Sequence, residues 1–356
     1  MNGCAPLTLL AVAALVVPAS ASGQASAWDR LPPELLDMAP PSEWIRGQPG
    51  SMSVVRRACR VLPVAEVRNR IVDVAVQEWA FFGFPVLDRM NGARLLPPGA
   101  ASDPSRPYFE NTTRRAPVLD ARESARVAAT IAGYWAVTPE GPGIVATQNR
   151  AWSGRGLGIR WNSPWSAAFI SWVMCEAGLG TTDRFHRAIA HWRYIDQAIR
   201  ARDGQASGAA FVAFEIGEEA VQPGDILCAA RRPAYGNLNQ RRRQVGTGAR
   251  THCDIVVEVD LEGERILAIG GNVLRSVSLK VLAGHRTAQG TLVARSTPGA
   301  PLFAHLKLRS DPVDAAGLTS SPVLALLTCR NGDGEFLRPS FVFGELGLAL
   351  PRGEAC

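Results

Sequence analysis

A chain of 356 residues, 47% hydrophobic and 20% charged, can bury a full core as one large domain or two smaller ones, and its composition excludes a disordered or fibrous protein. The formal net charge of +6 rests almost wholly on arginine, with lysine only at Lys280 and Lys307. A diffuse excess of that size fits an anionic polymer such as cell wall, or a membrane surface. The one dense basic run, Arg241-Arg242-Arg243, lies in a Gly/Asn/Gln-rich loop with only Tyr235 as a neighbouring aromatic, so nucleic acid is not an expected partner.

Leu7 to Val17 is an apolar run too short to span a bilayer, followed by Pro18 and small residues. Ala19-Ser20-Ala21 fits a small-x-small cleavage site, with Ala25-Ser26-Ala27 as a second candidate. The expectation is a signal peptide over residues 1–21 and a periplasmic or secreted mature chain with no integral membrane segment after cleavage. Loss of Cys4 leaves Cys59, Cys175, Cys228, Cys253, Cys329 and Cys356. Six cysteines allow fifteen full pairings, of which Cys329 with Cys356 is the first to test, and the spacings show no metal pattern. No metal or other cofactor is expected.

Residues 22–60, rich in Pro, Ser and Ala, read as a flexible N-terminal arm. From Val64 to Phe82 the period turns helical, with Val67, Ile71, Val74, Ala75 and Trp79 on one face. Residues 84–118 are irregular and Pro-bearing, and Asn111-Thr112-Thr113 is read as a chance glycosylation match. A second helix is expected over Ala121 to Trp135. Residues 161–178 form the stretch around which the rest is organised. Ser163 reads as a cap and Pro164 as the first helical residue. Trp165, Ala168, Phe169, Trp172 and Val173 then make one apolar stripe, and Gly178 is the stop. Ser166 falls in the first turn, among unpaired amides at the positive end of the helix dipole.

Phe185 to Arg202 is a further helical candidate. His186 and His191, five apart, do not share a helical face, which argues against a metal pair, while His191 and Tyr194 suit a substrate groove. The period then becomes two. Val221 to Asp225 is a turn leading into the strand Ile226 to Ala230. Thr251 to Asp260 alternates, with Cys253, Ile255, Val257 and Val259 on one face and His252, Asp254, Val256 and Glu258 on the other. Arg265 to Gly270 is a third strand, and Gly271-Asn272 is read as the turn into a fourth from Val273 to Leu279. Residues 300–309 are expected as an edge strand and Pro322 to Cys329 as a helix. Helices followed by an antiparallel meander make an α+β fold.

Ser166 at a helix start, His252 opening a strand and Asn272 at the end of the next are the residue types that nucleophilic catalysis requires. A hydroxyl needs a base, and the imidazole needs a third group to fix its tautomer. The run Pro164-Trp165-Ser166-Ala167-Ala168-Phe169-Ile170-Ser171-Trp172 resembles the Trp-Cys-Ala-Ala-Phe-Val-Ser-Trp helix of CHAP and NlpC-type cell-wall amidases and endopeptidases. Pro223-Gly224-Asp225-Ile226, His252 to Val257 and Gly270-Gly271-Asn272-Val273 are similar to the elements that follow it there. The chain also resembles the bacterial domain of unknown function 2272, which carries this serine form of the helix motif.

The resemblance implies a papain-like domain over residues 61–310, with helices packed on an antiparallel sheet or partial barrel, and leaves 311–356 as a C-terminal extension. It implies an exported hydrolase cutting an amide in peptidoglycan stem peptides, with peptidoglycan or a peptide as partner. Ser166, His252 and Asn272 would be catalytic, and Trp165, His191, Tyr194 and Asp254 substrate-binding. Serine stands where that family has cysteine. A thiol can be held ionised by a helix N-terminus and an imidazolium, whereas a hydroxyl must lose its proton during attack. Two readings follow: Ser166 is a serine nucleophile, or the domain has lost this chemistry and binds wall peptide or a partner protein.

Overall fold

The computed structural model describes residues 30–55, 57–91, 93–95, 109–111, 126–156, 159–231, 235–330, 342–344 and 346–348. The expected signal peptide, Thr112-Thr113 and Cys356 lie outside them, and with Cys356 the expected pairing to Cys329. In chain order the elements are α1 (Pro33–Leu36), β1 (Ile45–Arg46), β2 (Ser53–Val54), α2 (Val67–Phe81), β3 (Val86–Asp88), β4 (Ala93–Leu95), β5 (Phe109–Asn111), α3 (Ala128–Ala136), α4 (Gly141–Arg155), α5 (Ser166–Glu176), α6 (Trp192–Arg202), β6 (Phe211–Phe214), β7 (Ile226–Ala230), α7 (Leu238–Arg242), β8 (Thr251–Asp260), β9 (Arg265–Val273), β10 (Ser276–Arg286), β11 (Leu292–Ala294), β12 (Leu302–Leu308) and α8 (Pro322–Arg330). The fold is α+β.

The main sheet runs β5-β4-β3-β10-β9-β8-β7-β12-β6, with β11 paired to β10. Its neighbours are antiparallel except β10 with β3. Consecutive strands β7 to β10 make the expected meander. β12 is not an edge strand, because it pairs with β7 on one side and β6 on the other. β6 is a strand the alternation did not reveal.

Each face of the sheet has its own core. On the helix side, Cys253, Ile255, Val257, Ile269 and Leu279 join the apolar residues of α2, α3 and α5 in one cluster. On the opposite side Leu227, Val256, Ala268, Leu282 and Leu302 form a second. The expected alternation of β8 holds as far as Val257. A bulge between Val256 and Glu258 then adds one residue, so Val259 joins the far cluster instead of the helix side.

Helix α5 is buried along its whole length. It packs on β8 and β9, with α2 and α3 as further neighbours. Trp165 lies against Phe82 at 5.9 Å and Tyr134 at 5.7 Å, and Gly178 takes φ +108° at the far end as the expected stop. A disulfide ties Cys175 to Cys59 on the incoming chain. That chain is not a loose arm: Leu31, Met38, Trp44 and Met52 are core residues, and Arg30 and Tyr134 both bond Glu78. A second disulfide joins Cys228 to Cys253, which face each other directly across β7 and β8.

The Gly224-Asp225 turn is a structural anchor. Asp225, with no exposed surface, accepts bonds from Arg68 Nη1 at 2.9 Å, His305 Nε2 at 2.9 Å, Lys307 Nζ at 3.1 Å and the Leu308 amide at 3.1 Å. Burial pushes its pKa up, but the bond and charge of His305, then the charges of Lys307 and Arg68, more than offset that and hold the carboxyl below its ordinary range. One carboxylate thus ties α2, β7 and β12 together.

Candidate active site

Helix α5 begins at Ser166, two residues later than Ser163-Pro164 suggested. Trp165 is the capping residue and gives no side-chain bond. A shift of that size is ordinary at helix ends, and here the buried indole of Trp165 holds the entry. Ser166 is 8% exposed. Its hydroxyl lies 2.7 Å from Nε2 of His191, whose Nδ1 bonds the Tyr194 hydroxyl. The expected helix over Phe185–Arg202 starts only at Trp192, so His191 is its capping residue and Tyr194 lies three residues on, over the same turn. Ser171, on α5 itself, clamps this loop by accepting from the Ala188 amide at 3.0 Å and donating to the Ala188 carbonyl at 3.1 Å.

His252 is not the hydrogen-bond partner of Ser166. Its side chain shares a strand face with Asp254 and not with Cys253, and its Nε2 lies 2.9 Å from Asp254 Oδ1. Lys280 Nζ donates to the other carboxylate oxygen at 2.7 Å. Asp254, expected to bind substrate, therefore takes the orienting place expected of Asn272. The rings of His191 and His252 meet edge to face, with centroids 5.3 Å apart. Nδ1 of His252 is buried without a hydrogen-bond partner among the described residues.

Both imidazoles have lowered pKa values. Burial depresses His191 well below its ordinary value, with the charge on His252 adding to this. Burial depresses His252 as well, helped by the Lys280 ammonium. Both are neutral near pH 7 and able to accept a proton. Tyr194 is pushed well up by burial and then by Asp254, so it stays a phenol. Burial also works to raise Asp254, but the charges of Lys280 and His252 win and hold it well below the carboxylate range. Lys280 itself is lowered by burial, an effect Asp254 opposes.

Gly270, expected as the last residue of its strand, and Gly271, expected with Asn272 to open the turn, both lie within β9, and their missing side chains make room on both faces. A Cβ at Gly270 would lie 1.9 Å from Asp254 Oδ1, and one at Gly271 2.4 Å from Cβ of Phe169 on α5. The turn comes later, at Leu274-Arg275. Asn272, Leu274 and Arg275 have φ of +55°, +50° and +69°, and none is glycine. Left-handed backbone at such residues costs about 1–2 kcal/mol each. All three line a cleft of about 710 Å³ whose floor includes His252, Asp254 and Lys280. Asn272 and Arg275 also border a smaller hollow of about 170 Å³, walled by Trp152, Trp161 and Trp165.

The structure thus brings Ser166, His191 and Tyr194 together on the helix side and His252, Asp254 and Lys280 at the cleft, with the two histidines in contact. Asn272 stands on the cleft wall with no described bond to His252. Lys280 was not foreseen. Among the described residues no group of three or more His, Cys, Asp or Glu side chains converges as metal ligands would, and no helix is long and apolar enough to cross a membrane. Cys175 and Cys253 are both consumed in disulfides, so neither is a thiol near Ser166.

No curated protein and no solved structure matches the chain. Residues 123–318, which hold Ser166, both histidines, Asp254, Asn272 and Lys280, match a family described as an uncharacterized protein conserved in bacteria, domain of unknown function 2272. The match spans more than half of the 356 residues, and the chain belongs to that family.

Proposed function

We propose that the protein is an exported hydrolase that cleaves an amide in peptidoglycan stem peptides through a serine nucleophile. The single observation that carries this reading is the 2.7 Å contact between Ser166 Oγ and His191 Nε2 at the start of a buried helix, with Tyr194 on the other ring nitrogen. In the Nδ1-protonated tautomer, Nε2 accepts the Ser166 proton as Oγ attacks the carbonyl carbon, while Nδ1–H donates to the Tyr194 oxygen and keeps the ring in place. The first-turn amides of α5 suit the oxyanion of the tetrahedral intermediate. The imidazolium then protonates the leaving amine, and water releases the acyl group by the same steps in reverse order. His252, held by Asp254 and Lys280, keeps an unpartnered Nδ1 for a substrate group. The resemblance of the α5 stretch to papain-like cell-wall enzymes, with serine for cysteine, supports the substrate class.

The test is hydrolysis of purified peptidoglycan fragments, followed by product mass, with the native protein, Ser166→Ala, Ser166→Cys and His191→Ala. A serine enzyme loses turnover in Ser166→Ala and His191→Ala. A decayed cysteine enzyme is inert as found and gains amidase activity in Ser166→Cys. If the native and cysteine forms are both inert on amides and esters, the enzyme reading is abandoned.

A second reading is favoured by the low exposure of Ser166 and by its absence from the residues lining the large cleft. On that reading the domain is catalytically silent and binds wall peptide or a partner protein. His252→Ala then leaves affinity unchanged, and Ser166→Cys stays inert.

A further inference from the structure

The cleft floored by His252, Asp254 and Lys280 has a charge balance that catalysis at Ser166 does not call for. Arg89, Arg160, Arg231, Arg275 and Lys280 line it, and the carboxylate facing them, Asp254, is already bonded by Lys280 and His252. The side chains of Arg160, Arg231 and Arg275 have no described hydrogen-bond or ion-pair partner. Elsewhere in the fold arginines find carboxylates, as Arg68 does with Asp225, Arg202 with Glu218 and Arg241 with Asp196. Several guanidinium groups gathered around one hollow repel one another, a cost that an anion would remove. The backbone gives an independent sign. Leu274 and Arg275 occupy a strained two-residue turn, and both face this hollow. Strain held at a concave, charged wall is a mark of a site.

We propose that this cleft is a binding site for small polyanions, ligands carrying two or more carboxylate or phosphate groups. Arg231 and Arg275 grip the oxyanions as planar forks, and Lys280 supplies a point charge from the floor. The site stands whether or not Ser166 turns over a substrate, because binding here needs no chemistry. Carboxylate and phosphate share the recognition, and measurement distinguishes them.

The experiment is titration calorimetry of the full mature chain at 50 mM and 150 mM salt, with citrate, pyrophosphate and uncharged sucrose as probes. The native protein should bind citrate, pyrophosphate or both, more weakly at the higher salt, and sucrose not at all. The tighter of the two anions names the group the site prefers. Arg231→Gln/Arg275→Gln, at two exposed positions, should weaken binding about tenfold per arginine. Arg46→Gln/Arg243→Gln, exposed and outside the cleft, removes the same charge and should change affinity less than twofold. The proposal fails if neither anion binds at 10 mM. It also fails if the control pair weakens binding as much as the cleft pair, since the attraction would then be that of net charge alone. Hydrolysis lost or retained in Ser166→Ala does not bear on either outcome.

Discussion

Replacing Asp254 with asparagine isolates the charge at the heart of the cleft floor. The amide keeps the shape, one acceptor for Lys280 and a donor for Nε2 of His252, so what is lost is the negative charge. Asp254 is 2% and Lys280 6% exposed, which makes this a buried pair. Removing one partner of such a pair costs about 3–5 kcal/mol, because the other charge is left uncompensated. At roughly 2 °C per kcal/mol for a chain of this size, the melting temperature should fall by about 6–10 °C at pH 7. The pH dependence follows from Lys280. Its folded pKa is already lowered by burial and falls further without Asp254. The unfolded lysine, near 10.4, then binds more protons than the folded one, so the variant gains stability as pH rises. Circular-dichroism melts of both proteins at pH 7 and 9.5 should show the gap narrowing. A variant melting within about 2 °C of the native protein at pH 7, or a gap of equal size at both pH values, would refute the claim that this carboxylate holds Lys280 charged.

Ser166→Ala should stay folded while losing any turnover, since an unpartnered His191 Nε2 costs only about 1–3 kcal/mol; melts and product masses measured on one preparation check both halves. Breaking Cys228–Cys253, separated by 25 residues, should cost about 3.5 kcal/mol, and breaking Cys59–Cys175, separated by 116, about 5 kcal/mol; urea titrations of the Cys→Ser pairs should rank them in that order. Because His191 and His252 are buried with lowered pKa values, the unfolded state binds more protons than the folded one below about pH 6.5. Acid should therefore cost stability as pH falls through that range, and His191→Gln/His252→Gln should flatten the loss. On the proposal of export, N-terminal sequencing of the mature protein starts after Ala21 or Ala27, and an intact Met1 in a periplasmic fraction excludes it.

Elements with a strong period were legible, and elements without one were not. The apolar stripes of α2 and α5, the alternation of β8 and the succession of helices then strands led to α+β. Helix α4 was hidden because Gly141-Pro142-Gly143 reads as a loop, although proline is acceptable in a first turn, and because it buries little beyond Val145, Gln148 and Trp152. Strand β6 is too short to show a period. The turn was placed too early, at Gly271-Asn272, for a physical reason: glycine signals either a turn or a close approach, and the sequence does not say which. The approaches of Asp254 and Phe169 are contacts between segments far apart in the chain.

The histidine of Ser166 was misassigned although part of the signal was present. Alternation along β8 already separated His252 from Cys253, and the side carrying Cys253, Ile255 and Val257 is the more continuously apolar one, which is the side a buried helix must cover. On that ground His252 shares a side with Asp254 and not with the residues that α5 covers, and the hydrogen-bond partner of Ser166 comes from another element. Two things obscured this. Val256 makes the other side apolar too, because the sheet is covered on both faces. His191, seen only as one of two histidines five apart, showed nothing of the loop that Ser171 pins to α5. What decides the partner is the clamp at Ala188. It brings the residue before α6 to the first turn of α5, so His191 reaches Ser166 from the helix layer while the strand histidine is left to Asp254, Lys280 and the cleft.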